Sequence, residues 1–215
     1  MELATTSTFD QVRGRLLPSV EAPDDRPGIE LVAGHLSVTL VLDGAGGPRH
    51  VDSRDLRSWK VTFEEAFAAA MDNLRKKTLA RDFHAVRTAP GLYAWVGEDG
   101  LAPARALLVR ELLRPWPLAG AIIAMPTPDQ MLVLSLAEME ALEALPTLVE
   151  TRTIAAALGA RPVSEELFWH DGTTLHVLGV NHTDEGVEIE PLPAFVRALK
   201  RLAALELSTG PTAEA

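Results

Sequence analysis

The chain predicts an α+β fold of repeated hairpin-then-helix units, with antiparallel sheets covered by helices. Three observations carry this. Short apolar runs come in pairs around Gly, Pro or Asp-Gly turns, and a stretch of helical periodicity follows each pair. The unit recurs four times at a spacing of about 40–50 residues, the range in which repeats are sought. No residue-level similarity links the units. What repeats is the architecture, and segregated hairpins and helices point to α+β rather than a doubly wound parallel sheet.

The most informative stretch is Gly120–Leu136. Two apolar runs, Ala121–Met125 and Met131–Leu134, flank Pro126-Thr127-Pro128-Asp129-Gln130. Runs this short, bounded by proline, read as a hairpin. Neither run alternates with polar residues, so both faces of this hairpin are expected to be covered.

The remaining elements follow in order. Thr8–Leu17 carries Phe9, Val12, Leu16 and Leu17 at helical spacing, stopped by Pro18, and Pro23–Gly28 is a polar linker. Ile29–Ala33 and Leu36–Leu42 form a hairpin. In the second strand Leu36, Val38, Leu40 and Leu42 take one face and Ser37, Thr39 and Val41 the other, which predicts a half-buried strand. Thr62 with Glu65 is a capping box, and Phe63, Ala66, Phe67, Ala70, Met71 and Leu74 make one apolar stripe. Glu64, Glu65, Lys76 and Lys77 complement the helix dipole, and Trp59 packs against the first turn. Phe83–Val86 and Leu92–Val96 pair across Pro90-Gly91. Ala102–Arg114 is a buried helix opened by Pro103 and closed by Pro115-Trp116-Pro117.

Ser135 with Glu138 is a second capping box, for a helix broken or kinked at Pro146. Helical spacing resumes over Thr147–Leu158, with Gly159 at the C′ position. Leu167–His170 and Thr174–Leu178 pair around a two-residue Asp171-Gly172 turn, which places His170 opposite Thr173. Pro193 opens the last helix, and Ser208–Ala215 is a frayed tail. One domain over residues 1–207 accommodates all of this, with two lobes, 1–97 and 98–207, as the alternative division.

Composition narrows the function. Hydrophobic residues are 47% of the 215 but aromatics only 5%, so the core is aliphatic. The absence of cysteine removes disulfides and thiolate chemistry and fits a reducing cytoplasm. A formal charge of −10 repels phosphate backbones and anionic lipid. The one basic run, Arg75-Lys76-Lys77, ends a predicted helix, where cations suit the dipole. Met1–Val20 lacks the apolar core of a signal peptide, and no run approaches the about 20 apolar residues of a membrane span. A cytoplasmic protein with no nucleic-acid or membrane partner is expected.

Chemistry is sparse. Asp43-Gly44-Ala45-Gly46-Gly47-Pro48 leads into an extended segment rather than a helix N-terminus, so it reads as a turn and not a phosphate loop. No Gly-x-Ser-x-Gly, His-Glu-x-x-His or Walker sequence occurs. His170, His176 and His182 gather near Asp171, Asp184 and Glu185. Strand alternation, however, puts His170 with Phe168 and Leu175, and His176 with Leu167 and Trp169 on the opposite face. Ligands on opposite faces cannot share an ion, so no metal and no cofactor are expected. His182 falls in a polar turn. His50 and Asp52 share a face of an extended segment and could orient an imidazole as general base, without a visible nucleophile.

Three blocks resemble the YtpQ-like family of bacterial cytosolic proteins. They are Leu36–Asp43 with Val51, Trp59–Glu65 and Asn73-Leu74; Asp99-Gly100 through Ala104–Leu108; and Ile122–Pro126 with Asp129 and Leu132–Leu134. The family tends to have Arg-Asp where this chain has Pro128-Asp129. The resemblance covers about residues 30 to 180 and implies the same fold. It brings no active site, cofactor or substrate.

The expectation for function rests on elimination: a non-enzymatic adaptor or regulator binding a protein partner or itself, with no catalytic residue. Its contact surface is expected at Trp116 and at Pro126, Thr127, Pro128, Asp129 and Gln130, because stiff proline loops lose little entropy on binding and Trp is enriched at hot spots. The alternatives are a hydrolase or metal-dependent enzyme built on the histidines, and a small-ligand binder with a pocket between the hairpins.

Overall fold

The computed structural model describes residues 8–157, 163–183, 186–190 and 192–209. A short helix, α1 (Phe9–Val12), and a 3-10 turn run directly into β1 (Leu16–Glu21). The helical spacing therefore overreached: Leu16, Leu17 and Pro18 are strand residues. A proline is tolerated there because β1 is an edge strand with no second ladder to feed. The hairpin of β2 (Ile29–Val32) and β3 (Leu36–Leu42) follows as predicted, and β4 (Arg49–His50) adds beside β3. Next come α2 (Ser53–Trp59) and α3 (Phe63–Lys77), the second with the Thr62–Glu65 capping box in place.

β5 (Phe83–Ala85) and β6 (Leu92–Val96) pair, and a 3-10 segment (Ala102–Leu108) continues into α4 (Val109–Leu112). β7 (Ala121–Thr127) and β8 (Gln130–Ser135) are the central hairpin. A 3-10 segment (Met139–Ala144) leads into α5 (Leu145–Ala157). β9 (Leu167–His170), β10 (Leu175–Leu178), β11 (Val180–Thr183), β12 (Gly186–Ile189) and α6 (Pro193–Thr209) complete the chain.

The fold is α+β with antiparallel sheets. One sheet has the order β1-β3-β2, with β4 on β3. The second runs β10-β9-β7-β8-β6-β5, and β11-β12 stand as a pair. The central hairpin is covered on both faces. Ile123, Met125, Met131 and Val133 join Leu17, Val20 and Val38 of the first sheet and Leu101–Val109. Ile122, Ala124, Leu132 and Leu134 meet Leu145, Leu148 and Val149 of α5 and Phe195, Ala198 and Leu202 of α6. Ile122 and Val133 are both 0% exposed. Ile122→Ala should cost about 2–4 kcal/mol and Val133→Ala about 2 kcal/mol, from lost transfer energy plus a cavity. Equilibrium denaturation measures both, and losses under half that size would put the hairpin at the surface.

Several local expectations change. Ser135 does not cap a helix. It ends β8, where its N–H donates to the Gly91 carbonyl (2.8 Å), and the ladder outcompetes the cap. The cap of the following segment comes instead from a distant residue, Glu206, whose Oε1 accepts the Met139 N–H at 2.6 Å. α5 starts at Leu145, with Pro146 in its first turn where a missing N–H costs little, while Leu158 and Gly159 lie outside the described residues. Ser208 and Thr209 belong to α6 rather than to a tail, and residues 210–215 are outside the described set. β3 is buried on both faces: Ser37 is 9% exposed and Thr39 1%.

Candidate functional site

The proposed contact loop is tied inward. Pro126 and Thr127 are buried in β7, Pro128 and Gln130 are half-buried, and Asp129 is exposed. Pro126 falls where the β7–β8 register shifts, between Ala124 and Thr127, a place where a strand tolerates proline. The tip is fastened to the following loop. Asp129 Oδ1 accepts the Gly100 N–H at 2.9 Å, and the carbonyls of Asp129 and Pro128 accept the Gly97 and Ala102 N–H groups, each at 2.9 Å.

Trp116 is half-buried. Its ring lies against His170 with centroids 5.0 Å apart, the Arg110 guanidinium stands 6.0 Å from it, and its buried N–H has no partner among the described residues. Trp116→Ala should cost about 2–3 kcal/mol, less than a fully buried tryptophan. A thermal melt reads this, and an unchanged melt would mark Trp116 as a contact residue only.

The histidines stay apart. His170 lies opposite Leu175, not Thr173, because the turn is a four-residue loop. Asp171 makes that loop: its Oδ1 accepts the N–H groups of Thr173 and Thr174 at 2.7 and 2.9 Å. Two extra residues preserve strand parity, so the expected face assignment stands, with His176 opposite Trp169. His170 Nδ1 accepts the Gly172 N–H at 2.9 Å, which puts the proton of the neutral ring on Nε2, and burial pushes its pKa down. His176 Nε2 meets both Asp171 Oδ2 (3.1 Å) and Thr174 Oγ1 (3.0 Å). A relay needs carboxylate and hydroxyl on opposite ring nitrogens, so this cluster staples a loop. His182 is a strand residue of β11 opposite Val187 rather than part of a turn, and Asp184 and Glu185 are outside the described residues. Among the described residues no three His, Asp or Glu side chains converge as metal ligands.

Burial would raise the Asp171 pKa, but the Thr174 and Thr173 N–H groups and His176 outweigh it and lower it to about 2. A depressed folded value gives stability that is present above the ordinary carboxylate range and lost as pH falls toward 2. Asp171→Asn should therefore lower the melting temperature at pH 6, with an effect that shrinks steadily below pH 4 as the carboxylate is protonated. The partial exposure of Asp171 keeps the loss under about 1 kcal/mol.

His50 and Asp52 part company. Asp52 caps α2, its Oδ1 accepting the Arg54 and Asp55 N–H groups at 2.7 and 2.9 Å. The neighbour of His50 is Glu21, with Nδ1 and Oε1 3.5 Å apart. Glu21 is a hub: Oε1 accepts from Thr39 Oγ1 at 2.8 Å and Oε2 from Arg26 Nη2 at 2.7 Å, while Arg26 also pairs with Asp24. The Arg26 interactions hold the Asp24 carboxyl below its ordinary range. Glu21, Asp24, Arg26 and His50 line a cleft of about 400 Å³, which Leu101, Pro128 and Val163 also line. The cleft thus joins the polar face of the first sheet to the tip of the central hairpin. The alternation of Ser37 and Thr39 in β3 was the signal, although it reads equally as a solvent face.

Arg105 was missed altogether. It is 2% exposed and forks onto Asp99 through Nη1–Oδ1 (3.0 Å) and Nη2–Oδ2 (2.6 Å). Its guanidinium sits 4.8 Å over the Trp95 ring. Burial alone would raise the Asp99 pKa, but Arg105 overrides it and holds the carboxyl below its usual range. A lone charge in the apolar run Leu101–Val109 demands a partner, and Asp99 two residues upstream was the candidate. Of the basic run, Arg75 is engaged by Glu111 (3.1 Å) and Lys77 by Asp43 (2.6 Å).

No protein-family model, curated protein or solved structure matches the chain. Among the described residues no helix is long and apolar enough to cross a membrane. Fold and site together define an α+β protein with a polar cleft between its sheets.

Proposed function

We propose that this is a cytoplasmic, non-enzymatic binding protein that holds a small polar ligand in the cleft beside Glu21. The observation that carries the reading is the Glu21 hub, where Thr39, Arg26 and His50 converge on one carboxylate inside a cleft. Pockets of this size with a few convergent polar groups are the usual place for a small ligand. A hydrolytic reading has less support. Ser19 lines the cleft, but it lies opposite Thr39, two positions along the sheet from the Val41–His50 level, and it makes no hydrogen bond to His50.

A second reading, contact with a protein partner, draws on Leu118, 53% exposed two residues from Trp116, whose N–H has no partner among the described residues. The hairpin tip contributes little to it, since its backbone groups are bonded internally. Screening a fragment set against isotope-labelled protein separates the two. Fragment binding should shift the Gly100 and Leu101 amides and the His50 ring. Shifts confined to Trp116 and Leu118 would replace the cleft reading with the contact reading. No nucleic-acid partner is proposed, because the net charge of −10 opposes it.

A further inference from the structure

We propose that the loop 171–174 is an acid-sensitive cover: neutral His170 holds it over Trp116, and protonation of the ring releases it and bares the indole. The inference is independent of the cleft. Gly172, at φ +104°, packs on the indole so closely that a Cβ there would stand 3.0 Å from its nitrogen. His170 lies against the same indole, with ring centroids 5.0 Å apart. Beneath this cover the Trp116 N–H is buried and has no partner among the described residues. A buried donor left unpaired costs stability, so the closed cover depends on the contacts that hold it down.

The bond that ties the cover to the ring exists in one protonation state only. His170 Nδ1 accepts the Gly172 N–H at 2.9 Å, so it must carry a lone pair. A proton on Nδ1 sets one donor against another and breaks this bond. The other bonds of the loop shape it from within and do not involve the His170 ring. Asp171 Oδ1 accepts the Thr173 and Thr174 N–H groups, and the Asp171 N–H donates to the Thr174 carbonyl at 3.2 Å. The loop therefore turns away as a formed unit. His176 behaves differently, because its Nε2 already faces Asp171 Oδ2 at 3.1 Å and keeps that contact when it carries a proton.

The surroundings of the ring favour its neutral form. Burial pushes the His170 pKa below the ordinary histidine value; Asp171 opposes the shift, while Arg110 of α4 and His176 of β10 add to it. β7 sets Ala121 opposite His170, β10 sets Leu175 there, and segment 116–120 carries no charge. The Trp116 face alone would welcome an imidazolium, but the Arg110 guanidinium already stands 6.0 Å from that ring. A histidine whose folded pKa lies below its unfolded one gives stability that is present above the ordinary histidine range and lost as pH falls through the folded value. The cover is thus shut at neutral pH and opens below that range. The bared indole lies two residues from Leu118, itself 53% exposed, so acid widens the exposed apolar surface of this segment.

The test follows the full chain, isotope-labelled, by NMR from about pH 7.5 to about pH 5, the span in which histidines titrate. Three signals are read together: the His170 ring nitrogens, the Gly172 amide, and the broadening of each indole N–H by a soluble nitroxide. The His170 ring should titrate below the ordinary histidine value, the Gly172 amide should move with the same midpoint, and broadening at Trp116 should rise about threefold or more. The indole N–H of Trp95, buried in the core, should not change. His170→Gln, whose amide oxygen accepts a hydrogen bond but does not titrate, should abolish the rise at Trp116, and His176→Gln should leave it in place. If His170→Gln does not fold, the coincidence of midpoints in the unaltered chain decides. A His170 ring that titrates at or above the ordinary value overturns the cover, as does a Trp116 signal that ignores its protonation or a rise that survives in His170→Gln. A Trp95 signal that opens at the same midpoint overturns it too, because the whole domain is then loosening.

Discussion

Gly120→Ala should cost about 3–5 kcal/mol, a large effect for one added methyl group. Gly120 has φ +81°, a backbone region that costs an L side chain about 1–2 kcal/mol. A Cβ at this position would stand 2.7 Å from the Trp169 indole nitrogen and closer still to the His170 carbonyl oxygen. Neither neighbour can give way cheaply. The His170 carbonyl is backbone in β9, and the Trp169 N–H donates to the Ala119 carbonyl at 2.8 Å. The glycine also bonds on both sides, its N–H to the Pro117 carbonyl and its carbonyl to the Leu136 N–H. Relief would have to part β7 from β9 at the centre of the larger sheet. Equilibrium denaturation gives the number, and a loss below about 1 kcal/mol would mean that the two strands do not close there.

Arg105→Met should cost about 2–4 kcal/mol at neutral pH, and the penalty should shrink as the solution is acidified. Methionine keeps an apolar stem against Trp95 but strips Asp99 of its fork. The Asp99 side chain is 34% exposed, so water relieves part of the stranded charge and the loss falls short of that for a fully enclosed pair. The direction with pH follows from the depressed folded pKa of Asp99: its contribution is present above the ordinary carboxylate range and is lost as pH falls through the folded value. Adding Asp99→Asn should recover part of the loss, since the uncompensated carboxylate is then gone. A penalty that is the same at pH 3 and pH 7, or that grows on acidification, would show that Arg105 acts through packing alone.

This pair also bears on the cleft. Asp99 precedes Gly100 and Leu101, two residues that line it, and the Leu101 N–H donates to Asp99 Oδ1 at 3.0 Å. Arg105 therefore holds one cleft wall from behind, while Asp129 pins Gly100 from the side.

By itself the sequence determined the elements whose signals are local. Thr62 and Glu65 closed their capping box because both partners lie within one turn. The aliphatic runs around Pro126–Gln130 became the covered central hairpin because a strand without alternation has no face to give to water. Turn chemistry held as far as parity, so His170 and His176 took opposite faces although the loop was two residues longer than expected. Tertiary structure decided what depends on residues distant in sequence. Leu16 and Leu17 fit a helix or a strand equally by spacing, and pairing with β3 settled which. The Met139 N–H found its acceptor 67 residues away, out of reach of any capping rule. Above all, Ser37 and Thr39 alternate with aliphatic residues as a solvent face would. Nothing local tells a solvent face from a covered one: Thr39 is 1% exposed and donates to Glu21, and only the packing of Leu101 and Pro128 beside Glu21 and His50 made a cleft there.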